Sequence, residues 1–78
     1  MLWFYERNDD SLTVETRYDR DASLYVVTVR YAGGREQTER FAESDAFRVW
    51  LESLERTLQR EHWTLQGGPE ILPDGWPR

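Results

Sequence analysis

The chain has 78 residues, a formal net charge of −5 and no cysteine. This length accommodates one domain, and the lack of cysteine excludes disulfides, thiolate metal sites and cysteine nucleophiles. An aromatic content of 14% argues against general disorder, while the acidic charge repels nucleic-acid phosphate on average.

The first predicted element is a strand over residues 2–6, which the turn-like stretch RNDDS joins to the next element. Trp3 and Tyr5 alternate with Leu2 and Phe4, and the sequence leaves open which pair faces the core. We expect this strand to form one edge of the sheet.

Residues 11–19 and 23–31 show the period-2 alternation of paired strands. The second of them is rich in β-branched and aromatic residues, as expected of a central strand. A four-residue DRDA connection pairs Thr16 with Tyr25, so the apolar faces of the two strands coincide. These faces consist of Leu12, Val14, Thr16, Tyr18, Tyr25, Val27, Val29 and Tyr31.

Residues 35–42 predict a polar strand whose main large apolar group is Phe41. A two-residue turn would place Phe41 beside Val26, whereas a three-residue loop with a left-handed glycine places it beside Tyr25 on the core face. We prefer the three-residue loop, because a slip of one residue would expose Phe41. The many charges of this strand suit an edge position.

The period changes to that of a helix at Asp45, with Ser44 as the predicted N-cap. One apolar stripe consists of Phe47, Trp50, Leu51, Leu54 and Leu58. The stretch QGGP, which ends at Pro69, is the predicted stop signal.

The predicted fold class is α+β. We expect an antiparallel β-meander of three to four strands, with one long amphipathic C-terminal helix packed on one face, in a single domain over residues 1–68. Residues 69–78 are predicted to form an irregular tail rich in proline and glycine.

Candidate catalytic and metal-binding residues are few. His62 is the only histidine, and it lacks the clustered partners of a zinc site, so we expect a boundary residue. The acidic pairs Asp9–Asp10 and Asp19–Asp21 occur in predicted turns, where aspartate bonds its own backbone. The sequence therefore predicts no catalytic residue, no metal ligand and no cofactor, and we expect a protein that is not an enzyme.

Two other functions stay open as alternatives. Arg17, Arg30 and Arg40 could align with aromatic residues on the outer sheet face and bind a single-stranded nucleic acid. Interleaved carboxylates such as Glu15 suit cross-strand ion pairs equally well, and nucleic acid is not the expected partner. The second alternative, a small enzyme subunit, depends only on His62 and the many acidic residues.

A protein partner, or a second copy of the chain, is the expected ligand. The candidate contact residues are Leu24, Val26, Trp63, Ile71, Leu72 and Trp76. Leu24 and Val26 lie on the sheet face away from the helix, and a continued helix would turn Trp63 toward solvent. The tail is predicted first to clasp the outer face; a homodimer through that face and a proline-rich linear motif are the next alternatives.

The start of the chain is apolar for only four residues, which predicts neither a signal peptide nor a membrane span. All ten basic residues are arginine, a bias that suggests a GC-rich bacterial genome. We therefore expect a small cytoplasmic, non-enzymatic module that binds protein or forms homo-oligomers. No small-molecule ligand is inferred from the sequence.

Overall fold

A computed structural model describes residues 1–70 and shows five antiparallel strands with one helix. The elements are β1 (Leu2–Arg7), β2 (Asp10–Asp19), β3 (Leu24–Tyr31), β4 (Glu36–Phe41), α1 (Ser44–Arg60) and β5 (Thr64–Glu70). The strand order across the sheet is β4-β3-β2-β1-β5. The α+β class is confirmed, but the helix lies in the middle of the chain and a fifth strand follows it.

The fifth strand corrects both the predicted tail and the predicted edge of the sheet. β5 extends to Glu70, so the first two residues assigned to an irregular tail belong to a strand. Because β5 pairs with β1, the edges of the sheet are β4 and β5, and β1 is internal. Proline is tolerated on an edge strand, where its missing N–H removes no ladder bond, so Pro69 does not end the sheet. Residues 71–78 lie outside the described residues.

The β2–β3 hairpin has the predicted faces but a different register. Thr16 pairs with Val27 rather than Tyr25, because the loop is RDAS and not DRDA. The Asp19 carboxylate accepts hydrogen bonds from two backbone N–H groups of the loop at 3.1 and 3.2 Å, and Ser23 takes a left-handed φ of 56°. The loop thus lies one residue later in the chain, so that β2 includes Asp19 and β3 begins at Leu24 rather than Ser23. The pairing shifts by two residues, and this even shift leaves every side chain on its predicted face.

The β3–β4 hairpin confirms the three-residue loop. Phe41 pairs with Tyr25. Gly34 in the loop has a φ of +98°, a backbone conformation that residues with a side chain rarely adopt. The Phe41 ring centroid lies 6.3 Å from that of Phe47 and 5.9 Å from that of Trp50. The one large apolar group of this edge strand therefore holds the helix against the sheet.

The open question about β1 has a clear answer. Trp3 and Tyr5 pack against the core, where they pair with the buried residues Val14 and Leu12 of β2. Phe4 occupies the other face of the sheet, beside Gly67. The helix covers the face that carries the larger aromatic surface of the strand.

The core lies between α1 and one face of the sheet, as predicted. Its buried members are Leu12, Val14, Val27, Val29, Phe47, Leu58 and Trp63. The predicted stripe of α1 faces this cluster, since Trp50, Leu51 and Leu54 also pack against it while they remain partly exposed. The burial of these apolar side chains is the main source of stability in a domain without disulfides.

The helix begins one residue away from the predicted cap. Glu43 is the N-cap, in an extended conformation and without a side-chain capping bond, and Ser44 is the first helical residue. Asp45 occupies the first turn, where its carboxylate is favourable at the positive end of the helix dipole. Its Oδ1 accepts a hydrogen bond from Arg48 at 3.0 Å. The cap prediction is therefore wrong, whereas the first-turn acid is confirmed.

The helix ends at Arg60, well before the predicted QGGP stop. His62 takes a left-handed φ of 66°, and its N–H donates to the Gln59 carbonyl at 3.1 Å. The N–H of Trp63 donates to the Leu58 carbonyl at 2.9 Å. These two bonds form a Schellman motif with His62 at the position that glycine usually occupies. The motif turns Trp63 inward and starts β5.

Replacing His62 with glycine is expected to raise the free energy of unfolding by about 0.5–1 kcal/mol, because glycine adopts a left-handed φ without the steric cost of a Cβ atom. Urea denaturation measures the change. His62→Ala is the matched control, since it removes the ring and keeps the Cβ atom. A glycine variant no more stable than the alanine variant would show that the left-handed backbone carries no strain.

Candidate interaction groove

A groove opens between α1 and the β1–β5 side of the sheet. Its volume is about 250 Å³. Apart from its charged side chains the lining is largely apolar, and this floor consists of Trp3, Tyr5, Val14, Leu51, Leu54, Leu58 and Leu65. Phe47 and Leu58, toward the two ends of α1, are buried, whereas the stripe residues between them are only partly buried. The helix is thus anchored at two points, and the groove lies beneath the span between them.

The rim of the groove is charged. It carries Arg48, Glu52 and Glu55 of α1. The Arg48 guanidinium pairs with the Asp45 carboxylate at 3.0 Å. The carboxylates of Glu52 and Glu55 are therefore the dominant charges of the rim. Burial raises the pKa of the Tyr5 hydroxyl above its usual 10.0, and the negative charge of Glu55 raises it further. The groove therefore combines an apolar floor with a mainly acidic rim.

Because the pKa of Tyr5 is raised in the folded protein, we expect the domain to lose stability at alkaline pH. Because the folded state holds the Tyr5 proton more tightly than the unfolded state, its contribution is fully present below pH 10.0 and is lost as the pH rises through the raised pKa. We expect Tyr5→Phe to reduce the fall in Tm between about pH 9 and about pH 11. Thermal unfolding of both proteins measures this difference. An equal fall in both would contradict the assignment.

Val26, a predicted contact residue on the outer face of the sheet, is buried in the structure. Val26 is 1% exposed, and Leu24 is half-buried. The register places Arg17 of β2 and Arg40 of β4 on either side of Val26. Val26 is therefore buried in this structure, and its predicted contact with a partner stays a prediction.

Trp63 is also buried, at 6% exposure, and belongs to the core. The prediction that it faces solvent required the helix to continue, and the helix stops three residues earlier. The Arg7 guanidinium lies 4.4 Å from the Trp63 ring centroid and donates to the Glu61 carbonyl at 3.0 Å. Trp63 is therefore part of the folded interior rather than a contact surface.

The arginines proposed for nucleic-acid binding are partly engaged within the sheet. Arg30 pairs with Glu15 at 3.3 Å and with Glu36 at 3.0 Å, and these hydrogen bonds raise the pKa of its guanidinium. Arg30 therefore forms the cross-strand ion pairs that the sequence analysis gave as the alternative to nucleic-acid binding. Arg17 and Arg40 are exposed beside Val26.

His62 is exposed at the end of the helix, in an open polar cleft that also includes Glu6 and Glu61. Within residues 1–70, no group of three or more histidine, cysteine, aspartate or glutamate residues is placed to hold a metal ion. No helix in this described part is long and apolar enough to cross a membrane. The predicted contacts Ile71, Leu72 and Trp76 lie beyond the described part of the chain.

The sequence-based prediction missed the groove. Leu65 is its most exposed apolar residue, and the signal for it is the alternation of Trp63 and Leu65 in a segment that lacks other strand features. Comparison with known proteins adds no independent assignment: no family model, curated protein or solved structure matches the chain.

Proposed function

We propose that the chain is a non-enzymatic protein-interaction module, which binds an extended segment of a partner protein along β5 and into the groove. The observation that carries this proposal is the position of Leu65. Its side chain is 50% exposed at the mouth of an apolar groove, on a strand at the edge of the sheet. A partner strand beside β5 would cover it.

The size of the groove favours an amino-acid side chain as its occupant. Small-molecule sites usually measure about 300–1,000 Å³, and this groove has a volume of about 250 Å³. Its floor offers apolar contacts from Trp3, Leu51 and Leu54. One large apolar side chain of the partner therefore serves as the anchor, in the manner of an interface hot spot.

The two edges of the sheet differ in their suitability for strand addition. β4 carries Glu36, Glu39 and Arg40, and charged side chains on an edge discourage pairing with other chains. The segment TLQGGP of β5 has no charged residue before Glu70. Main-chain hydrogen bonds along β5 would supply affinity, while the groove would select the side chain.

The rim defines the remaining chemistry of the partner. Glu52 and Glu55 favour a lysine or arginine close to the apolar anchor, because complementary charges speed association and reject acidic competitors. The expected ligand is thus an extended segment with alternating apolar residues and an adjacent basic residue.

Selection from a displayed random-peptide library tests this proposal. We expect enriched peptides with one large apolar residue next to a basic one, and about tenfold weaker binding to Leu65→Ser, which corresponds to about 1.4 kcal/mol. Val49→Ser is the matched control, since Val49 is 58% exposed and does not line the groove. Glu55→Arg should weaken the binding of the same basic peptides.

Three outcomes would contradict the proposal. One is the absence of enriched peptides, and another is equal binding to the Leu65→Ser and Val49→Ser variants. The third is a concentration-dependent mass in sedimentation that Leu65→Ser abolishes, which would make a second copy the occupant. Binding of single-stranded DNA or RNA at low salt would instead favour the nucleic-acid alternative.

A further inference from the structure

Hydrogen bonds at the start of the chain fix the direction of the main-chain groups in β1. The N–H of Thr16 donates to the Met1 carbonyl at 2.8 Å, and the Met1 amino group donates to the Thr16 carbonyl at 2.7 Å. The main-chain groups of Met1 therefore face β2. In an antiparallel sheet the N–H and carbonyl of one residue point to the same neighbouring strand, and this direction alternates along the chain. Those of Phe4 and Glu6 thus point away from β2, toward β5.

The register between β1 and β5 carries this alternation into β5. Glu6 pairs with Thr64, and Tyr5 pairs with Leu65. Because Glu6 points toward β5, the N–H and carbonyl of Thr64 point back to Glu6, and those of Leu65 point the opposite way, to the outer side of β5. In the described part of the chain, β5 is the last strand on this side of the sheet. Leu65 therefore directs its main-chain groups outward while its side chain lines the groove.

The stretch of β5 that is suited to regular pairing is short. Before Leu65, the N–H of Trp63 donates to the Leu58 carbonyl at 2.9 Å, at the end of α1. After Leu65 the register between β1 and β5 shifts, since Phe4 pairs with Gly67. The extra residue forms a β-bulge, which bends the strand and interrupts the ladder. Leu65 is therefore the position, between the helix end and the bulge, at which a partner strand forms a regular pair.

Antiparallel addition suits a site of one residue. In an antiparallel hydrogen-bonded pair, two directly opposite residues exchange both N–H to carbonyl bonds, whereas parallel strands spread slanted bonds along the partner. One partner residue opposite Leu65 therefore forms two hydrogen bonds. Directly opposite residues also place their side chains next to each other on one face of the sheet. The side chain of this partner residue thus lies beside Leu65, on the face where the groove opens.

We propose, resting on the proposed function, that the partner residue whose side chain is the anchor is also the residue whose main chain pairs with Leu65. The anchor is then a large apolar residue and not proline, because proline lacks the N–H that the Leu65 carbonyl would accept. The residues before and after the anchor point their N–H groups away from β5, so proline or an N-methyl group is tolerated at both. Main-chain and side-chain recognition therefore select the same position of the partner.

A methylation scan of a selected peptide tests this inference. The probe is the tightest-binding peptide from the displayed library, synthesised with a single N-methyl group at the anchor, at the residue before it or at the residue after it. We expect binding to weaken about tenfold or more when the anchor is methylated, which corresponds to about 1.4 kcal/mol. Methylation of either neighbour should change the affinity by less than about threefold. Isothermal titration calorimetry of the unmethylated peptide and its three variants measures these differences.

Amide hydrogen exchange of the full-length chain gives a second readout. We expect the Leu65 amide to exchange about tenfold more slowly or less when the unmethylated peptide is bound, because its N–H then donates to the carbonyl of the anchor. The Thr16 amide, which donates to the Met1 carbonyl, is the internal control and should not change. A Leu65 amide whose exchange the bound peptide leaves unchanged would overturn the inference.

The outcomes distinguish this inference from the proposed function. A peptide that binds Leu65→Ser weakly but tolerates methylation at the anchor would support the groove and overturn the main-chain pair. A loss confined to methylation of the residue after the anchor would indicate parallel addition, and it would also overturn the inference. If the library yields no enriched peptide, the proposed function fails, and this inference fails with it.

Discussion

Replacing Trp63 with alanine is expected to lower the free energy of unfolding by about 3–5 kcal/mol, a large part of the stability of a domain of this size. Trp63 is 6% exposed, packs in the core and lies under the Arg7 guanidinium. Its removal leaves a cavity in the core cluster to which Leu58 also belongs, and it ends the cation–π contact with Arg7. Chemical denaturation of the purified variant measures the loss.

The control for this prediction is Trp63→Phe, which keeps an aromatic ring and should lose much less stability. A contact residue on the surface would behave differently, because its replacement changes stability by about 0.5 kcal/mol or less. If Trp63→Ala unfolds at the same denaturant concentration as the parent protein, the tryptophan is not packed in the core, and its predicted role as a partner contact stays open.

Alternation predicted the faces of the strands better than their pairing. Val14 and Val27 are buried as expected, since the period of two requires only that one face meets the core. The pairing of Thr16 depends on which four residues form the turn, and that depends on local bonds to the Asp19 carboxylate and on the left-handed Ser23. Neither feature changes the hydrophobic pattern, so the sequence could not distinguish the two registers.

The end of the helix and the fifth strand were missed for a related reason. Glycine is the usual signal for a left-handed helix end, and here His62 occupies that position. The segment after it, TLQGGPE, has the composition of a loop, and it forms a strand because β1 offers it an edge. Tertiary pairing overrides local preference at such a position, and no local signal reveals it.

The groove was unpredictable because it depends on the position of the helix relative to the sheet. Leu51, Leu54 and Leu58 belong to the same apolar stripe of α1, so the sequence predicts the same burial for all three. All three line the groove, but only Leu58 is buried, whereas Leu51 and Leu54 stay partly exposed. Periodicity indicates which side of a helix faces the core, but it does not indicate how closely each turn approaches the sheet.

Replacing leucines of this stripe with alanine is expected to lower the free energy of unfolding by unequal amounts, and this is the second large effect that we predict. Leu58→Ala should lower the free energy of unfolding by about 3–5 kcal/mol, because Leu58 is 2% exposed and anchors the C-terminal end of α1 in the core. Leu51→Ala should cost about 1–2 kcal/mol, since much of its side chain already faces the groove. Parallel urea denaturation of the two variants measures the difference between the same substitution at two positions on one helix.

The comparison between Leu58 and Leu51 also tests the basis of the proposed function. Both substitutions remove the same atoms from the same helix, so differences in helix propensity cancel, and the remaining difference reports how deeply each side chain is packed. Equal losses would mean that α1 lies against the sheet along its whole length. The groove would then be closed in solution, and Leu65 would have no apolar floor beside it on which a partner side chain could be anchored.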